Sequence, residues 1–97
     1  MKIKYLGHSC FQVEAGGKVL LFDPFITPNQ LASSIDLKQV KADYVFISHA
    51  HQDHMADALA IAKQNDSTMV ANWEICSWFF VDDDNFGREV DVTTNLA

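Results

Sequence analysis

Positive charge is scarce in this chain. Seven Lys and Arg stand against thirteen Asp and Glu in 97 residues, a formal net charge of −6. Surfaces that bind nucleic acid are normally basic and often interleaved with aromatics, so this balance argues against a nucleic-acid partner. Cysteine is equally sparse. Cys10 and Cys76 are too few and too far apart for a disulfide framework or a zinc knuckle, and two reduced thiols fit a cytoplasmic protein. No apolar run approaches the length of a membrane-spanning helix. Met1-Lys2-Ile3-Lys4 leads into a polar–apolar alternation, not into the apolar core of a signal peptide. With two Pro and four Gly there is no linker or low-complexity tract, and no internal repeat is visible. Histidine is missing from the whole stretch after His54.

What is present reads as a single globular domain or a portion of one. The hydrophobic share, 48%, is ordinary. Lys2–Leu6 and Cys10–Glu14 alternate as half-buried strands do, and Val19–Phe22 is a continuous apolar run expected to be buried on both faces. Ala15-Gly16-Gly17-Lys18 is a hairpin turn, because glycine accepts the positive φ of a tight turn. Gly16-Gly17-Lys18 is not a phosphate loop: the upstream glycine is missing and no helix pattern follows. Asp23-Pro24-Phe25 ends the third strand, since proline cannot donate to a ladder. This leaves Asp23 at a strand end, as a functional carboxylate or as an ordinary turn residue. Ile26–Ser34 is loop-like, and a short helical turn fits Ser34–Val40.

Tyr44–Ile47 is the fourth strand. Met55–Gln64 reads as one helix with a stripe of Met55, Ala58, Leu59 and Ala62. Thr68–Ala71 is a short strand. Asn72 is placed to cap a following helix whose stripe is Ile75, Trp78 and Phe79. Asp82-Asp83-Asp84-Asn85 fails as a calcium loop, because Phe86 occupies a ligand position and Thr93 stands where the bidentate glutamate should be. Glu89–Thr94 is a candidate last strand. The expected order is β-β-β-β-α-β-α-β, an α/β (α+β) chain with a mixed sheet.

Chemistry concentrates in Ile47-Ser48-His49-Ala50-His51-Gln52-Asp53-His54. Three of the four histidines and one aspartate fall within six positions, as His-x-His-x-Asp-His. Imidazole and carboxylate are the ligand set for zinc, iron or manganese. Residues two apart at the end of a strand project the same way, which suits His49 and His51. Asp53 and His54 then fall on the turn into the helix, beside the position of a second ion. A polar loop carrying surface histidines is the bland alternative.

This loop resembles that of the metallo-β-lactamase superfamily. Leu6-Gly7-His8-Ser9-Cys10-Phe11, Asp23-Pro24-Phe25 and Ala71-Asn72-Trp73-Glu74 are similar to one branch, the small metal-dependent hydrolases like ascorbate-6-phosphate lactonase. The likeness runs over nearly all of residues 1–97, yet members of the family are longer. It therefore implies the N-terminal part of a single αββα metallo-hydrolase domain, with helices on one face of the sheet and the second half absent.

By that resemblance His49 and His51 hold a first metal and Asp53 and His54 a second, one or two Zn, with Mn or Fe as alternatives. Asp53 also accepts a proton from the nucleophile. His8 borders the site as a substrate contact or as a hydrogen-bond donor to a ligand, and Asp23 supports the ligands from behind. Water on such a metal has its pKa lowered to about 7, giving a hydroxide that attacks an ester, lactone or phosphoester of a small molecule. The family's remaining ligands come from its second half, so catalysis by this chain alone is not expected. A non-catalytic binding remnant and a nucleic-acid-processing relative are the competing readings. A homo-oligomer or the missing C-terminal half is expected to cover the bare sheet.

Overall fold

The computed structural model describes residues 1–72 and 74–77. Strands β1 (Lys2–Gly7), β2 (Cys10–Ala15) and β3 (Lys18–Phe22) form an antiparallel meander. The β2–β3 turn is Gly16-Gly17, with φ of 58° and 76°. Both values lie in the left-handed region that favours glycine, which accounts for the two-residue connection. Strands β4 (Tyr44–Phe46) and β5 (Thr68–Val70) add in parallel, giving one mixed sheet in the order β1-β2-β3-β4-β5. The β3–β4 connection holds two single-turn helices, Gln30–Ala32 and Leu37–Gln39. Each is opened by a side chain, Asn29 or Asp36, that accepts a backbone N–H two residues on. Beyond β5, residues 74–77 are helical and Asn72 caps them, its Oδ1 accepting the Ile75 N–H at 2.9 Å. The expected aromatic stripe at Trp78 and Phe79 and the strand at Glu89–Thr94 lie outside the described residues.

The single helix expected over Met55–Gln64 is two: α1 (Gln52–Met55) and α2 (Ala58–Asn65). Asp57 interrupts them, with φ −104° and ψ 5°. Its carboxylate does not cap α2. It reaches across to the segment after β3 and accepts from the Ile26 N–H (2.6 Å), the Thr27 N–H (2.9 Å) and the Thr27 hydroxyl (2.6 Å). Its own N–H donates to the Pro24 carbonyl at 3.0 Å. The restart rotates the buried stripe of α2 to Ala58, Ile61 and Ala62, leaving Met55 and Leu59 only partly buried. Asp66 closes the helix in a left-handed conformation, φ 56°.

The two faces of the sheet are unlike. Leu21, Val45 and Met69 stand in register across β3, β4 and β5, and each is wholly buried in the core that includes α2's apolar stripe. The opposite face carries two apolar rows spanning all five strands. One is Ile3, Val13, Leu20, Tyr44 and Thr68; the other is Tyr5, Phe11, Phe22, Phe46 and Val70. Phe22 stacks on Phe46 at 4.7 Å, and Tyr5 lies 5.0 Å from Phe11. Ile3 and Tyr5 nevertheless stay 62% and 60% exposed. Burial of Val19–Phe22 on both faces is therefore not observed: Leu20 and Phe22 are half-buried, as are Tyr44 and Phe46 of β4, because among the described residues helical cover lies on one side only.

This packing has two measurable consequences. Asp57→Ala leaves two backbone N–H groups and a hydroxyl without their acceptor, so urea denaturation is expected to show a loss of roughly 2–4 kcal/mol. Each large apolar side chain kept from burial forgoes about 1.5–3 kcal/mol, so the two-row face is expected to favour association. Light scattering is expected to show concentration-dependent association that Tyr5→Lys with Phe11→Lys reduces. A monomer at all concentrations contradicts this.

Candidate metal centre

The site is assembled at the carboxyl ends of β3 and β4. Asp23 follows β3 in a left-handed conformation, φ 46°, and is buried at 8% exposure. Its N–H donates to the Phe46 carbonyl of β4 at 2.8 Å. Its carboxylate receives the chain leaving β4: the Ser48 N–H on Oδ1 at 2.7 Å and the Ser48 hydroxyl on Oδ2 at 2.7 Å. His54 Nδ1 also meets Asp23 Oδ2, at 3.1 Å. An ionised carboxylate only accepts, so His54 donates from Nδ1 and turns Nε2 away from Asp23.

Around that support stand the other groups. The His49 ring lies 4.0 Å from the His54 ring and 4.6 Å from the His51 ring, centroid to centroid. His8 sits on the β1–β2 turn at φ 51°, its ring 5.3 Å from His54 and edge-on to Phe25 at 5.5 Å. His8 Nε2 meets Asp53 Oδ2 at 3.0 Å, and Asp53 Oδ1 is 3.7 Å from His54 Nε2. Gly7 positions this turn. Its φ is 104°, which strains any residue with a side chain, and a Cβ there would lie 2.7 Å from Asn29 Nδ2, so the Asn29 side chain would also have to shift.

The structure thus brings His8, His49, His51, Asp53 and His54 to one place, with Asp23 beneath. The tightest group, with ligand atoms within 4.8 Å of one another, is His8, Asp53 and His54. His49 and His51 lie beside it, ring against ring. Asp53 opens α1, in its first turn.

Two acidities bear on the chemistry. Desolvation pushes the Asp53 carboxyl up, but the hydrogen bond from His8, then the charges of His54 and His8, outweigh it and hold the group below its usual 3.8. The Cys10 thiol is pushed up to about 12, chiefly by burial; a backbone hydrogen bond at Phe25 opposes this, and the charges of Asp23 and Asp57 add to it. Cys10 is therefore a protonated core residue and not a thiolate ligand.

Two contributors escape sequence reasoning. Ser48 stands just before the motif and is not a usual metal ligand, although its place at the end of an apolar strand puts it on the same turn as His49. Asp57 falls inside a helical pattern, and nothing local distinguishes it from a solvent-facing acid.

A solved structure shares this fold and is titled a metallo hydrolase: Igni18 from the hyperthermophilic archaeon Ignicoccus hospitalis, TM-score 0.72 and 34% identical, over 94% of this chain and 38% of that one. Two curated relatives are named UPF0173 metal-dependent hydrolases. One, from Flavobacterium johnsoniae, is 46% identical over 79 residues, 81% of this chain and 35% of its own length. The other, from Methylacidiphilum infernorum, is 49% identical over 78 residues, 80% of this chain and 34% of its own. The sequence matches the Beta-lactamase superfamily domain over residues 2–91. The chain belongs to the beta-lactamase superfamily, in company with metal-dependent hydrolases. It spans about a third of the length of the curated relatives it matches.

His8→Ala removes the strongest influence holding the Asp53 carboxyl down. The carboxyl is then expected to titrate higher, measured by carbon-detected NMR of the side chain. The His8 contact favours the folded protein above Asp53's ordinary 3.8, and that stability is lost as pH falls through the lower folded value. An unchanged titration in the variant would show that the contact does not form in solution.

Proposed function

We propose that this chain carries the N-terminal ligands of a metal-dependent hydrolase acting on an ester, lactone or phosphoester of a small molecule. The carrying observation is the gathering of four imidazoles and Asp53 at the carboxyl edge of parallel strands, over one buried carboxylate. Open α/β sheets bind ligands at that edge. The donor set fits a divalent metal. It is nitrogen and oxygen only, His54 turns Nε2 away from Asp23, and the Cys10 thiol is buried and protonated. Such a set suits zinc, with manganese or iron as alternatives.

In this reading His49 and His51 hold one metal position and Asp53 and His54 the other. A divalent metal there would supply positive charge that polarises the substrate and acidifies water. The chain's own residues do the rest. Asp23 orients His54 and anchors the loop. His8 fixes the Asp53 carboxylate and keeps it ionised. Asp53, low in pKa and partly exposed, accepts a proton at its free oxygen lone pairs. A groove of about 650 Å³, lined by Ala50, Gln52, Met55, Ala56 and Leu59 among others, runs beside the loop and offers an apolar wall to a substrate. Four ligands are fewer than two metals need, so tight binding and turnover require further ligands from outside the described residues.

Calorimetric titration with zinc tests the reading. Weak binding is expected, abolished by His51→Ala with His54→Ala, while Lys63→Ala leaves it unchanged. Absence of any binding that these substitutions affect would rule out the centre.

A further inference from the structure

We propose that Ser48 is a positioning residue that selects the tautomer of His49 and joins it to His54 through Asp23. The inference rests on the metal-centre reading above, but its geometry does not depend on it. The Ser48 hydroxyl has one hydrogen and two close neighbours: Asp23 Oδ2 at 2.7 Å and His49 Nδ1 at 2.9 Å. An ionised carboxylate has no hydrogen to give, so two oxygens at 2.7 Å require the serine hydrogen between them. The hydroxyl hydrogen is thereby committed to Asp23, and towards His49 the oxygen can only accept. His49 must then carry its proton on Nδ1 and present Nε2 as a lone pair. Were the proton on Nε2, Nδ1 and the serine oxygen would face each other with no hydrogen between them.

The Ser48 N–H holds Asp23 Oδ1 at 2.7 Å, so the serine is pinned to both carboxylate oxygens. His54 Nδ1 meets Asp23 Oδ2 at 3.1 Å. One chain of hydrogen bonds, His49–Ser48–Asp23–His54, therefore sets the same tautomer on two imidazoles, one from each proposed metal position. A fixed tautomer and ring orientation is what a ligating histidine needs from its supporting partner, and losing such a partner typically costs 10–100-fold in metal affinity. Asp23 reaches His54 directly but reaches His49 only through the Ser48 hydroxyl, so Ser48 acts on one ligand and Asp23 on both.

Long-range proton–nitrogen NMR of the metal-free protein, well above the ordinary histidine pKa of about 6.5, reads the tautomers directly. The wild type is expected to show Nδ1–H at both His49 and His54. Ser48→Ala is expected to move His49 to Nε2–H or a mixture, leave His54 unchanged, and lower zinc affinity by roughly tenfold. Ser48→Thr, which keeps the hydroxyl, is expected to restore the wild-type pattern. An Nε2–H tautomer at His49 in the wild type overturns the proposal without recourse to any variant, as does an unchanged His49 in Ser48→Ala. Tautomers as stated with no zinc bound by the wild type would support the relay and count against the metal reading instead.

Discussion

The Asp23 carboxylate is the constraint on which the site depends. It sits where β3 ends, beside the end of its parallel neighbour β4, and ties the two strand ends together through its own N–H and both oxygens. A left-handed conformation at a non-glycine residue costs about 1–2 kcal/mol. Hydrogen bonds to a charged acceptor contribute roughly 1.5–3 kcal/mol each, so those from Ser48 and His54 more than offset that strain. The strained backbone aims the carboxylate at the chain emerging from β4. Take it away and the Ser48 turn, the His54 ring and the start of α1 lose their common anchor.

Asp57 is a comparable buried anchor. It breaks the helix after the His-x-His-x-Asp-His loop and commits its carboxylate to Ile26 and Thr27, while its N–H holds Pro24. The segment it clamps carries Phe25, whose ring meets His8, and His8 in turn holds Asp53. Two buried aspartates thus bracket Pro24–Ile26, one on each side. Neither is left without partners, and among the described residues no buried side-chain nitrogen or oxygen lacks a hydrogen bond. That complete satisfaction is what allows two acids in a small core.

The apolar rows on the other face are of the kind that packs against a second sheet. Sheets that pack face to face present alternate residues of each strand to the partner sheet. Here the face away from α2 is dressed for such packing along two full rows, and its aromatic side chains already pair with one another. This agrees with a chain that covers about a third of its relatives' length. The candidate metal centre lies at the end of the same sheet, at the carboxyl ends of β3 and β4.

Strand periodicity, the glycine hairpin and the His-x-His-x-Asp-His spacing are legible in the chain because each is a local property. Alternation reports which side of a strand is apolar, paired glycines report positive φ, and ligands two and three residues apart must be neighbours in any fold. The five strands accordingly lie within a residue of where the pattern puts them, and Asn72 caps as its position suggests. The helix break at Asp57 is not legible: its cause is a set of donors at Ile26 and Thr27, some 30 residues away, and no local pattern encodes an acceptor for them. The same holds for Ser48 and Asp23, separated by 25 positions and joined only because β3 and β4 are parallel neighbours. The chain spells out a candidate metal-ligating motif; the pairing of β3 with β4 places a carboxylate beneath it, and hydrogen bonds across that pairing reach His54 directly and His49 through Ser48.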